Sequence, residues 1–104
     1  MEDIKYSKHQ QYAIISILIL IMEADGIIDP NEVEFMNNVY RNFSITEGEM
    51  ELINQYDLSS ASAIIKALPS KEKEYAIKLF IGMAKCDGYA DPRELDIIEG
   101  LAND

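Results

Sequence analysis

The 104-residue chain is poor in several residue types that support particular functions: it has one cysteine, one histidine and no tryptophan. A single cysteine excludes an internal disulfide and a cysteine-based metal cluster. The longest apolar stretch, residues 13–22, is ten residues long, whereas a membrane-spanning helix needs roughly 20. No membrane insertion is therefore expected. The acidic first residues, Met-Glu-Asp, are not typical of a signal peptide, which predicts a cytoplasmic protein.

Basic residues are also scarce, with 9 Lys and Arg against 19 Asp and Glu and a net charge of −10 at pH 7. The acids concentrate in two windows, residues 23–34 and 87–104, and the rest of the chain is balanced. Binding a nucleic acid needs a basic surface, so no nucleic-acid partner is expected. A divalent cation or a basic protein partner suits this charge better. The sequence leaves the oligomeric state open.

Both acidic windows begin around the same motif, Asp-Gly-x-x-Asp-Pro-x-Glu, at residues 25–32 and again at residues 87–94. Each copy follows an apolar stretch and precedes an amphipathic one. The repeat therefore predicts two helix–loop–helix units with carboxylate-rich loops.

Capping patterns and apolar spacing predict helices throughout the chain. We expect them at residues 8–24, 30–42, 46–56, about 59–68 and 71–86, and from residue 92 onward. In addition to the N-caps in the two motifs, the expected N-caps are Ser7, Thr46, Ser59 or Ser60, and Ser70. No segment alternates as a strand. The predicted fold is all-α: a single-domain helical bundle of about six helices over residues 1–104, with an internal helix–loop–helix repeat.

The helical periodicity also predicts which side chains face the core. Lys71, Lys78 and Lys85 recur every seven residues and are expected on a solvent-exposed stripe. The side chains expected to face inward in the last five helices are Val33, Met36, Val39, Tyr40, Phe43, Met50, Leu52, Ile53, Tyr75, Ala76, Leu79, Phe80, Met83, Leu95, Ile98 and Leu101.

The motif has a purely structural interpretation. Gly26 would supply a left-handed residue after the first helix, and Asp29 with Pro30 and Glu32 would start the next one. This interpretation does not explain Asp25 or its counterpart in the second copy, because the helix macrodipole disfavours a carboxylate at a helix C-terminus.

A cation site is the other interpretation. Each copy matches the back half of an EF-hand loop but lacks a carboxylate at its first position, which is Ile21 or Met83. This argues against an ordinary EF-hand. A site for Ca²⁺, Mg²⁺ or Mn²⁺ remains a hypothesis, with the first copy the better candidate. Across the two copies, the candidate metal ligands are Glu23, Asp25, Asp29, Glu32, Asp87, Asp91 and Glu94.

The stretch from Ala24 to Glu32, with a weaker copy after Cys86, resembles the signature of the tellurite-resistance TerB-like domain, which also occurs in DjlA-type co-chaperones. The resemblance covers roughly residues 8–102. It implies an all-α bundle whose clustered acids serve divalent-cation or protein binding, in a metal- or stress-response context. By position the implied residues are Asp25, Glu32, Asp87 and Glu94, with Asp29 and Asp91 as neighbours.

Two functions follow as hypotheses. The first is a non-enzymatic TerB-like binding module whose Asp25, Glu32, Asp87 and Glu94 face one shared surface. The alternative is a divalent-metal-dependent hydrolase, or a fragment of one, that holds Mg²⁺ or Mn²⁺ with the same carboxylates. His9 is expected at the surface and Cys86 as a buried structural thiol, so neither predicts catalysis.

Overall fold

The computed structural model describes residues 5–24, 26, 29–86 and 92–102. These residues form six α-helices and a single turn of 3-10 helix, and none of them lies in a strand, which confirms the all-α prediction. The helices are α1 (Lys8–Glu23), α2 (Pro30–Asn42), α3 (Met50–Asn54), α4 (Leu58–Lys66), α5 (Ser70–Lys85) and α6 (Pro92–Ala102); the 3-10 turn, Glu47–Glu49, leads into α3.

Helix α1 is the centre of the bundle. Its start is fixed by a capping box in which the Ser7 hydroxyl accepts the Gln10 N–H and the Gln10 side chain accepts the Ser7 N–H. Residues 13–18 are buried without interruption, and α1 contacts all five other α-helices. Burial on every side therefore outweighs the strand preference of its isoleucines. Among the described residues, no helix is both long and apolar enough to cross a membrane.

The other helices each contribute one stripe to the core. Their buried apolar side chains are Met36, Val39, Ile53, Ala61, Ile65, Ala76, Phe80, Met83, Ala84, Ile98 and Leu101. Four predicted core residues are instead exposed, by 38% to 45%: Val33, Leu52, Tyr75 and Leu95. Each lies at the edge of the apolar face of its helix, so its side chain is directed partly towards solvent. Lys71, Lys78, Lys85 and His9 are exposed as predicted.

Three of the predicted helix boundaries were wrong. Asp57, not Ser59 or Ser60, caps α4, because its Oδ1 accepts the Ser60 N–H at 2.7 Å. Ser70 is the first residue of α5 and follows Pro69 at the N-cap. The helix predicted over residues 46–56 is a 3-10 turn followed by the short α3.

Candidate functional site

The first motif begins where α1 ends. Glu23 is the last residue of α1 and is exposed, and Ala24 is the C-cap. Gly26 then takes φ +76°, in the left-handed region that favours glycine, and its N–H donates to the Glu23 carbonyl at 3.0 Å. This confirms the predicted role of Gly26. Asp25 lies outside the described residues.

Asp29 and Glu32 form the start of α2. The Asp29 Oδ1 accepts the Asn31 N–H at 2.8 Å, and the Glu32 Oε1 accepts the Asp29 N–H at 2.9 Å. Pro30 occupies the first helical position, where no N–H is needed. The predicted capping role of the motif is therefore confirmed for the first copy. A carboxylate oxygen that accepts one N–H keeps lone pairs that can bind a cation.

Glu32 is buried far more deeply than a capping residue requires. Its exposed fraction is 2%, and Ser16 is the other buried polar residue in the described part of the chain. Removing a carboxylate from water is costly unless hydrogen bonds or positive charge compensate. The hydrogen bond that Glu32 accepts from the Asp29 N–H supplies part of this compensation.

The second motif is described only in part. Helix α5 ends at Lys85, and Cys86 is its C-cap, with a thiol that is half-buried against the core rather than fully buried. Helix α6 begins at Pro92, as predicted, and Glu94 lies in its first turn. Asp87, Asp91 and the side chain of Glu94 lie outside the described residues.

The described helices that flank the two copies touch one another. The Phe35 ring, in α2, lies against Gly82 in the last turns of α5. At the opposite end of α5, the Tyr6 hydroxyl donates to the Glu72 carbonyl at 2.6 Å and so joins the start of α1 to the start of α5. Helices α1 and α5 are each 16 residues long and pack against each other. The helices that precede the two acidic motifs are therefore neighbours.

The described acids do not by themselves make a metal site. Within residues 5–24, 26, 29–86 and 92–102, no group of three or more His, Cys, Asp or Glu side chains is arranged to hold a metal ion. Of the predicted ligands, Asp29 and Glu32 are brought together, and Glu23 lies on the surface at the end of α1. A complete cation shell would thus need carboxylates from the remaining motif positions.

A polar cluster away from the motifs was missed by the sequence analysis. Glu49 accepts a hydrogen bond from Tyr12 and forms an ion pair with Lys8. The Tyr56 hydroxyl lies 2.5 Å from the Nδ1 of His9. Thr46, an expected N-cap, donates its N–H to the Glu49 carboxylate at 2.9 Å. The sequence signal for this cluster was the helical spacing of Lys8, His9 and Tyr12 in the first turns of α1, which puts them on one face. The cluster joins α1 to the segment around α3.

Two clefts on the described surface are formed by other residues than the described acids of the motifs. One of about 240 Å³ lies between α1, α3 and the start of α4, with Ser16, Ile53 and Leu58 among its lining residues. Another of about 400 Å³ is bordered by Tyr6, Phe43 and Tyr75. Neither is lined by Glu23, Asp29 or Glu32.

Comparison with known proteins found a similar fold but no matching family. No protein-family model matches the chain, and no curated protein matches it. The crystal structure of a protein of unknown function from Porphyromonas gingivalis W83 is similar, with a TM-score of 0.74 and 24% sequence identity. The match covers 96% of this chain and 84% of that one. At this identity the likeness concerns the fold alone.

Proposed function

We propose that the chain is a non-enzymatic, TerB-like binding module that holds a divalent cation between its two acidic motifs. The same carboxylates would present a negative surface to a basic protein partner. The observation that carries the proposal is the burial of Glu32, at 2% exposure, at the start of α2. A surface cap has no need of such burial, whereas a ligand in a low-dielectric setting attracts a cation more strongly.

The positions of the flanking helices support convergence of the two copies. Copy one leads into α2 and copy two follows α5, and these helices meet where Phe35 lies on Gly82. Phe35 is about one helical turn beyond Glu32. The helices that adjoin the two copies, α2 and α5, therefore contact each other.

The chemistry of the donors selects the class of cation. The predicted ligands are carboxylates, which hard cations such as Ca²⁺, Mg²⁺ and Mn²⁺ prefer. The set contains no histidine or thiolate, which disfavours zinc and copper. Asp25, Asp87, Asp91 and Glu94 would join Asp29 and Glu32 in such a site, with Glu23 at its edge.

A pair of conservative substitutions tests the proposal. Glu32→Gln combined with Glu94→Gln removes two ligand charges, yet glutamine preserves the capping box. In the natural protein, millimolar Ca²⁺, Mg²⁺ or Mn²⁺ should raise the melting temperature; in the double variant the rise should disappear. Glu47→Gln combined with Glu51→Gln removes the same charge from exposed positions and should retain the rise. A natural protein whose melting temperature ignores all three cations would refute cation binding.

The same preparations separate binding from catalysis. A module binds the cation saturably without turning over phosphate or carboxylic esters, whereas a metal-dependent hydrolase turns them over only when the cation is present. A basic partner would be recognised by binding that weakens as salt is raised. If the natural protein turned over such esters and the Glu32→Gln, Glu94→Gln double variant did not, the hydrolase and not the binding module would be the function.

A further inference from the structure

A cleft of about 400 Å³ lies where the segment before α1 meets the end of α2 and the first turns of α5. Three aromatic rings, two side-chain amides and one ammonium group line it: Tyr6, Phe43 and Tyr75, Gln11 and Asn42, and Lys5. None of these residues belongs to the acidic motifs. The cleft is therefore a candidate binding site that is independent of any cation site.

The three aromatic rings form one cluster at the cleft. The ring centroids of Tyr6 and Phe43 are 6.0 Å apart, and those of Tyr6 and Tyr75 are 6.3 Å apart. The Tyr6 ring is held in place because its hydroxyl donates to the Glu72 carbonyl at 2.6 Å. Tyr75 is 42% exposed, although its helical spacing predicted burial. The cluster thus offers aromatic surface on which a planar ring of a ligand can pack.

Gln11 contributes a hydrogen-bond acceptor that lacks a donor. Its Nε2 donates to the Tyr6 carbonyl over a long 3.4 Å. Its Oε1 is shielded from solvent and accepts no hydrogen bond from the described residues. A buried acceptor without a partner destabilises the free protein, and a ligand that supplies a donor removes this penalty. Because the terminal torsion of a glutamine side chain is soft, a small rotation turns Oε1 towards such a ligand.

Two opposite charges lie near the cleft. The Lys5 side chain is exposed and lines the cleft, where it attracts an anion. The Glu72 carboxylate has the opposite effect. Burial, followed by the charges of Tyr75 and Glu72, raises the pKa of Tyr6, so this carboxylate lies near the Tyr6 hydroxyl. The sign of the charge on a ligand can therefore be tested by removing either charge.

We propose that this cleft binds a small aromatic acid whose planar ring carries an N–H group. The ring packs against Phe43 and Tyr75. The N–H donates to Gln11 Oε1, and the carboxylate of the ligand pairs with the Lys5 ammonium. Each contact uses a different group of the ligand, so each can be removed separately.

A matched pair of ligands tests the contact with Gln11. Indoleacetate carries all three groups, and benzofuranacetate has an oxygen in place of the N–H. In isothermal titration calorimetry, the natural protein should bind indoleacetate roughly fivefold or more tighter than benzofuranacetate, because only indoleacetate pairs Oε1. Gln11→Met has a similar shape but no such acceptor, and it should bind both acids equally. A natural protein that does not bind indoleacetate, or that shows the same preference as Gln11→Met, would overturn the proposal.

Charge variants test the sign of the ligand. Lys5→Gln should weaken the binding of indoleacetate severalfold and leave that of methylindole, which lacks the carboxylate, unchanged. Glu72→Gln keeps the backbone carbonyl that Tyr6 uses and should tighten the binding of indoleacetate. Tighter binding of indoleacetate in Lys5→Gln would refute the ion pair and, with it, the proposed acid.

A ring variant tests the location. Tyr75→Ala should lose most of the affinity for indoleacetate, whereas Leu52→Ala, which truncates a side chain of similar exposure (45% against 42%), should keep it. Thermal melts of both variants check that they remain folded. Nuclear Overhauser effects between the indole ring and the Tyr75 ring should be observed in the natural protein. Binding that survives in Tyr75→Ala, or that gives no such effects, would refute the site.

Discussion

The Tyr12 hydroxyl donates a hydrogen bond of 2.6 Å to Glu49 Oε2 and ties the first turns of α1 to the 3-10 turn before α3. Lys8 Nζ lies 3.1 Å from the same oxygen. The other carboxylate oxygen accepts the Thr46 N–H at 2.9 Å. These bonds lower the pKa of Glu49 from 4.5 to about 2, the hydrogen bond from Tyr12 contributing most, and they raise the pKa of Tyr12.

Glu49→Gln should therefore change how stability depends on acid. Because folding lowers the pKa of Glu49, its charged form stabilises the folded state above pH 4.5, and this contribution is lost as the pH falls through about 2. The free energy of unfolding of Glu49→Gln should lie below that of the natural protein at pH 6, and the gap should close towards pH 2. Urea titrations at several pH values measure it. Glu51→Gln is the charge-matched control, and a gap that is constant with pH contradicts the assignment.

Asp29→Ala should destabilise the protein by about 0.5–2 kcal/mol, because the start of α2 loses its side-chain acceptor. Asp29→Ser keeps an acceptor and should recover most of the loss. The sequence predicts the same effect for Asp91→Ala at the start of α6. Urea unfolding without added cations gives both values. An unchanged unfolding midpoint in Asp29→Ala would show that the bond to Asn31 contributes nothing to stability.

Ser44→Gly should stabilise the protein. Ser44 follows the end of α2 and takes φ +56°. The Ser44 N–H donates to the Arg41 carbonyl at 3.2 Å, and the Ile45 N–H donates to the Tyr40 carbonyl at 2.9 Å. A left-handed residue with a Cβ costs about 1–2 kcal/mol, and part of that cost should be recovered by glycine. Ser44→Ala keeps the Cβ and should show no gain in melting temperature. A lower melting temperature for Ser44→Gly than for Ser44→Ala would contradict this.

Gly100→Ala should also stabilise, by about 0.5–1 kcal/mol, because alanine is the better helix former and the new methyl group meets nothing within 4 Å. Gly82→Ala gains the same propensity but pushes against Phe35, so its stability should fall below that of Gly100→Ala. Thermal melts without divalent cations make the comparison. Equal stabilisation by both substitutions would mean that the Phe35 ring moves aside freely.

The features that could be predicted from the sequence are those that depend on neighbouring residues. The capping boxes at Ser7, Asp29 and Thr46 involve groups three residues apart, so the residue pattern contains both partners. The start of α4 was harder to predict, because Asp57 and two serines lie within four residues and each is a good N-cap. Local chemistry does not choose among them, and the structure shows that Asp57 is the N-cap.

The candidate site shows the same division. The pattern predicted that Asp29 and Glu32 cap α2, but the depth at which Glu32 is buried depends on packing between distant segments. The Phe35 contact was missed for this reason, although a glycine inside the helical pattern of α5 was the available signal. Convergence of the two copies stays a prediction, since it concerns Asp25, Asp87 and Asp91.

The enclosure of α1 has a consequence for hydrogen exchange. Residues 13–18 are surrounded by every other α-helix, so their amides cannot reach solvent by fraying of a single neighbour. They should exchange only when the whole bundle opens, at a rate that reports the global free energy of unfolding. The last turn of α1, beside exposed Glu23, should exchange by smaller openings. One helix would thus contain amides that exchange only by global unfolding and, in its last turn, amides that exchange by local opening.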